Sequence, residues 1–180
     1  MYLTALVTIA VFSLLLWNYY HGGVPSHHIL QRKDLPEISN WWGGILLPVL
    51  TWVLLFRIQK RINKNENELN SNKSTIAFYG FLGALCFGIL LSTFFTFGNN
   101  EVPFYMLIGL LLLALFYPIF RSECLLGFVI GMTFTFGVVL PTGIGTIFAI
   151  LGVIIYLVIR PVILFIAKKS IHLFISNKEK

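Results

Sequence analysis

The chain has 180 residues, but Asp, Glu, Lys and Arg supply only 11% of them and hydrophobic residues supply 57%, whereas a soluble domain carries about 25% charged residues. A water-soluble fold of this size would lack the polar groups to cover itself, and the same counts exclude a disordered chain and, with 2 Cys, a disulfide scaffold. The class that remains is all-α: a polytopic integral membrane helix bundle.

Six apolar runs predict about six transmembrane helices, over residues 2–20, 41–57, 76–97, 102–120, 124–140 and 144–167. Each is long enough for a helix to cross a hydrocarbon layer about 30 Å thick. None alternates apolar and polar residues as the strands of a membrane barrel do. The chain therefore reads as a single transmembrane domain over residues 1–180 with short connections.

The first run has no Lys or Arg before it and closes on Asn18-Tyr19-Tyr20-His21. That aromatic ending marks an interface and a retained helix, not a cleaved leader. The loop 21–40 follows and holds three of the four His, with Asp34, Glu37, Arg32 and Lys33. Imidazoles and carboxylates together are the donor set of Zn²⁺ and similar metals, whose bound water attacks esters and phosphodiesters. His21, His27, His28, Asp34 and Glu37 are therefore the candidate metal ligands and catalytic residues, with zinc the candidate cofactor. Arg32 and Lys33 suit an anionic headgroup. The spacing matches no established motif, and two plainer readings compete: a solvated interface loop, and a substrate mouth without metal. Pro25-Ser26 is a candidate start for a short helix, with Ser26 near its cap.

The second run begins at Trp41-Trp42, in keeping with an aromatic belt. A polar loop, 58–75, reads as a solvated linker rich in Asn, Lys and Glu. The third run carries a small-residue stripe, Gly80, Ala84 and Gly88, and the fifth carries Gly127 and Gly131. Such stripes let helix backbones approach closely within a bundle, or alternatively at a subunit interface. Ser92, Thr93, Thr96, Thr133 and Thr135 bond readily to their own backbone. Glu101 lies in the short turn between the third and fourth runs. Pro141-Thr142-Gly143-Ile144-Gly145 reads as the link between the last two, either a tight turn capped by Thr142 or Thr146 or a break within a re-entrant segment, and amides exposed there could cradle an anion. Trp41, Glu101, Thr142, Gly143 and Gly145 thus join Arg32 and Lys33 as candidate substrate-binding residues.

Placed on alternating sides, 11 of the 13 basic residues fall on one face. The positive-inside rule makes that face cytoplasmic, with both termini on it, and suggests a bacterial cytoplasmic (inner) membrane. The +6 net charge is thereby a topology signal that meets anionic lipid, and it argues against nucleic acid as partner. Arg160, inside the last run, can snorkel to the cytoplasmic interface.

The function these features favour is a small multi-pass membrane protein that handles a small solute or lipid headgroup at a polar extracytoplasmic mouth. The solute's path would descend from the mouth between the third and fifth runs. The alternatives are a metal-assisted hydrolase or transferase at the membrane interface, and a non-catalytic subunit of a membrane complex. Expected partners are membrane lipids, with a further copy of the chain or a complex partner as alternatives.

Overall fold

The structure, a computed structural model, describes residues 2–21, 23, 26–28, 37–39, 41–63, 70–98 and 101–178. The fold is an all-α helix bundle. Its elements are α1 (Tyr2–Tyr20), a short ribbon of β1 (Ser26–His28) and β2 (Glu37–Ser39), α2 (Trp41–Asn63), α3 (Asn70–Thr96), α4 (Glu101–Leu113), α5 (Ser122–Phe136) and α6 (Val139–Ile154). A π-helical turn, Ile155–Ile159, then leads into α7 (Arg160–Lys178). Four helical stretches are long and apolar enough to cross a membrane: Tyr2–Tyr20, Trp41–Asn63, Asn72–Thr96 and Val139–Ser170. Glu101–Leu113 and Ser122–Phe136 are apolar but shorter.

The core sits around α5, where Leu126 and Val129 are fully buried and Met132 nearly so. Val7, Val11 and Leu15 recur every four residues along α1 and place one stripe of that helix against Leu47, Val129 and Val138. Elsewhere the bundle exposes large apolar side chains, Phe134 at 85% and Phe116 at 78% among them. So extensive an apolar surface suits lipid contact.

Helices in lipid gain nothing from hiding apolar surface and associate by close packing. The small-residue stripes do this within one chain. A Cβ on Gly88 would lie 2.8 Å from the Phe128 carbonyl oxygen, one on Gly131 would lie 2.6 Å from that of Leu85, and one on Gly127 would collide with that of Phe81. Gly80 faces Cys124 at one end of the seam, and Phe95 meets Phe136 edge-on at the other. α3 and α5 are therefore parallel, with α4 returning between them.

Three boundaries depart from the sequence reading. α4 stops at Leu113, well short of residue 120, because Pro118 lacks an N–H and disfavours helix at the residue before it. The chain from Ala114 to Arg121 turns instead, with Tyr117 N–H donating to Leu113 O and Arg121 N–H to Pro118 O. The 13 residues of α4 span about 20 Å.

The expected link at 141–145 lies inside α6. The turn falls earlier, at Gly137, whose φ of 70° is one glycine adopts without strain. Pro141 is tolerated because it sits in the first turn of α6, where an N–H has no intrahelical partner.

The polar linker is also shorter than 58–75, since α2 runs on to Asn63 and α3 starts at Asn70. A helix satisfies its own backbone and need not end where the hydrocarbon does. Beyond α6, Pro161 cannot donate to the carbonyl four residues back. The helix widens there, and Arg160 N–H reaches Ile155 O, five residues back.

Candidate functional site

One end of the bundle gathers the groups that bear chemistry. The last turn of α2 carries Lys60 and Arg61, and the first turn of α5 carries Glu123. Arg61 Nη2 donates to Glu123 Oε1 at 2.8 Å. The pair is lopsided, since the Arg61 side chain is 41% exposed and that of Glu123 only 1%. A carboxylate at a helix N-terminus is favoured by the helix dipole, and the half-exposed guanidinium offsets its desolvation. The second oxygen, Oε2, is buried with no hydrogen-bond partner among the described residues. An unpartnered buried acceptor is costly and draws a donor.

Gly80 of α3 makes room for this cluster. A Cβ there would lie 2.9 Å from Tyr117 Oη, 3.2 Å from Glu123 Cγ and 3.6 Å from Cys124 Sγ. Arg61 and Arg121 both lie within electrostatic range of the Tyr117 hydroxyl. From this polar end a cavity of about 580 Å³ extends between α3, α4, α5 and α6, a volume within the roughly 300–1,000 Å³ of small-molecule sites. Gly80, Tyr117 and Cys124 line it at the polar end, and Phe87, Leu110 and Phe128 are among its apolar walls. Pro118 contributes indirectly, because a fourth helix that ended later would not fold the Ala114–Arg121 chain back toward α5.

The residues singled out from sequence fare differently. His21 is exposed at the end of α1, with Nδ1 2.9 Å from Trp17 O and its ring stacked 4.0 Å from that of Trp17. The ribbon replaces the short helix expected after Pro25, and its register sets His28 opposite Glu37 and His27 opposite Ile38. Only the backbone of His27, His28 and Glu37 is described, and Arg32, Lys33 and Asp34 lie outside the described residues. Among the described residues no group of three or more His, Cys, Asp or Glu is arranged to hold a metal.

Trp41 is half exposed, meets Tyr19 edge-on at 6.5 Å and donates its backbone N–H to Ser39 Oγ. Glu101 is exposed in the first turn of α4. Thr142, Gly143 and Gly145 form no anion cradle, because their amides belong to a helix. Thr142 donates through both N–H and Oγ1 to Val138 O, and Gly145 packs on Leu125 and Phe128. The path expected between the third and fifth runs is closed by the α3–α5 seam, where backbones touch. The cavity lies alongside the seam, and Gly80 and Ala84 border both.

Glu123 was missed. In sequence it is one more charge in Arg121-Ser122-Glu123, beside an interface already rich in charge. Its partner stands 62 residues away, and nothing local announces the pairing. Thr93, Thr96 and Thr133 bond to carbonyls four residues back, as expected. Cys86 is exposed, Cys124 is buried, and both are free thiols.

Fold and site together define a helical bundle of membrane-protein character, with an apolar cavity that has Tyr117 and Cys124 at one end and a lopsided ion pair near by. Comparison with protein-family models, with curated proteins and with solved structures finds no match to this chain in any of the three.

Proposed function

We propose that this is an integral protein of the cytoplasmic membrane that holds one amphipathic lipid, its apolar chain in the cavity and its head toward Tyr117. The observation that carries this reading is the cavity itself, apolar-walled with Tyr117 at one end. That polarity matches a molecule with a tail and a head. A hydrophilic solute would have nothing to bond along the Phe87 and Phe128 walls.

The reading includes six crossing segments, α1 to α5 and the long α6–α7 helix, with both termini cytoplasmic. Two features support it. Helices consecutive in the chain from α1 to α6 alternate in direction, and Arg61 and Arg121 meet at one end with Glu123. The lipid head then sits near the cytoplasmic interface, and the His-bearing ribbon forms a polar mouth on the opposite face. Cysteine labelling tests this topology. With Cys86 and Cys124 replaced by Ser, an impermeant maleimide should label Ser26→Cys and Asn99→Cys in intact cells. Asn65→Cys and Ser176→Cys should react only after permeabilisation, and the reverse pattern for either pair would overturn it.

The cavity reading is tested by filling it. Gly83 lines the cavity, and a Cβ there meets nothing within 4 Å. Gly83→Phe should therefore occupy the space without displacing backbone. Native mass spectrometry of the purified protein should find about one lipid per wild-type chain and none on the variant. Equal lipid on both proteins, or none on either, rejects the reading.

A further inference from the structure

We infer that the long last helix crosses the membrane only as far as Arg160, and that α7 bends at the π-helical turn into the cytoplasmic leaflet, with Lys168 and Lys169 on anionic phospholipid headgroups. The inference goes beyond the lipid-holding reading and rests only on the topology proposed with it.

The two ends of the bundle fix the length available for crossing. At one end, a Cβ on Gly43, beside Trp41 and Trp42, would lie 2.9 Å from Val138 Cγ2. α6 therefore starts level with the aromatic pair expected at an interface. At the other end, Gly152 packs on Ile119 and Phe120, and the Tyr156 ring lies 5.8 Å from that of Phe120, in the turn that leads into α5. Arg160 follows, its guanidinium 4.5 Å from the centre of the Tyr156 ring. From Val139 to Arg160 the helix rises about 30 Å, the thickness of the hydrocarbon layer.

The apolar stretch does not stop there. Every residue from Pro161 to Ser170 is exposed, and none before Lys168 is charged. Val162, Ile163, Leu164, Phe165 and Ile166 are consecutive and all exposed, so they point to every side of the helix. Continued straight, Pro161 to Ala167 would carry apolar side chains about 10 Å past the hydrocarbon. A helix apolar all round belongs in lipid. A protein groove or a second copy of the chain would cover one side and leave the other in water.

Tilting the whole bundle does not solve this. α2 rises about 30 Å from Trp41 to Arg61, and a tilt that sank α7 would drag Arg57 and Arg61 into the hydrocarbon with it. A bend at the π turn does solve it, because Pro161 withholds its N–H there and helices kink at such places. Val162 to Ile166 then lie among acyl chains. Lys168 and Lys169 come next, both exposed, on a helix with no acidic residue, and the cytoplasmic leaflet supplies anionic lipid.

The test uses the full-length chain, with Cys86 and Cys124 replaced by Ser, in vesicles of phosphatidylcholine and phosphatidylglycerol. A fluorophore is attached in turn at Val162→Cys, Ile163→Cys, Leu164→Cys and Phe165→Cys, all exposed positions where a label displaces nothing. Nitroxide lipids should quench every label, more strongly with the nitroxide near the headgroup than near the chain end, and aqueous iodide should quench none. Iodide quenching at every position would put α7 in water. Protection of one side alone would put a protein or a second copy there, and stronger quenching from the chain end would mean a tilted crossing. Each of these results overturns the inference.

For the headgroups, a label at Ala167→Cys is read against nitroxide phosphatidylglycerol and nitroxide phosphatidylcholine at equal mole fraction. The anionic lipid should be enriched about fivefold around the label, the effect of one lysine near an anionic surface. Lys168→Gln with Lys169→Gln should bring the ratio most of the way to one. No enrichment with both lysines intact, or an enrichment that survives their loss, overturns the assignment to anionic lipid. Failure of the topology shows separately, as reversed maleimide labelling at Ser176→Cys.

Discussion

α3 and α5 present two faces that use the same residue type for opposite ends. On the seam, Gly88, Gly127 and Gly131 bring backbone against backbone, and any side chain would strike a carbonyl. On the cavity side, Gly83 stands one position from Ala84 and looks into open space. The seam holds the pair together by contact, whereas the cavity side leaves a volume for something else to fill. A glycine in a membrane helix thus has no fixed meaning. Its role depends on what the neighbouring helix places opposite it.

The contrast can be broken at the seam. Gly127→Leu forces the helices apart at the Phe81 carbonyl and should cost about 3 kcal/mol or more. Denaturant titration of the detergent-solubilised protein should show this as a large fall in the unfolding midpoint; an unchanged midpoint would mean that the seam is not the main brace. Next in size is Arg61→Ala, which strands a carboxylate that is 1% exposed. Its cost should be about 2 kcal/mol, less than for a wholly buried pair because the guanidinium is half in solvent. Glu123→Gln in that background should recover most of the loss, since the stranded charge is then gone. The smallest effect belongs to the cavity. Gly83→Phe should move the midpoint by no more than about 0.5 kcal/mol even as it expels lipid, and a loss like that of Gly127→Leu would erase the distinction between the two faces.

Much of the bundle was legible because membrane helices announce themselves by composition. The run from Tyr2 to Tyr20 is α1 to the residue, and the stripes at Gly80, Ala84, Gly88, Gly127 and Gly131 do pack against each other. Boundaries were less legible, since hydropathy does not register where hydrogen bonds stop. Pro118 ended α4 inside a continuous apolar run, and Gly137 turned the chain before a proline and two glycines that look more like a turn. The site was hardly legible at all. Histidines and acids crowd loop 21–40 in the sequence, whereas the described polar cluster depends on one acid at Glu123.

Composition and the spacing of small residues by themselves determined that this chain is an apolar helical bundle and which helices would pack through small residues. Each is a property of one segment and can be read locally. Tertiary structure alone decided that Arg61 meets Glu123, that α3 and α5 run parallel, and that the space left beside them is an apolar cavity with Tyr117 at one end. Those features arise where distant segments meet. The energy of a buried charge depends on what surrounds it, and no stretch of sequence around Glu123 contains its surroundings.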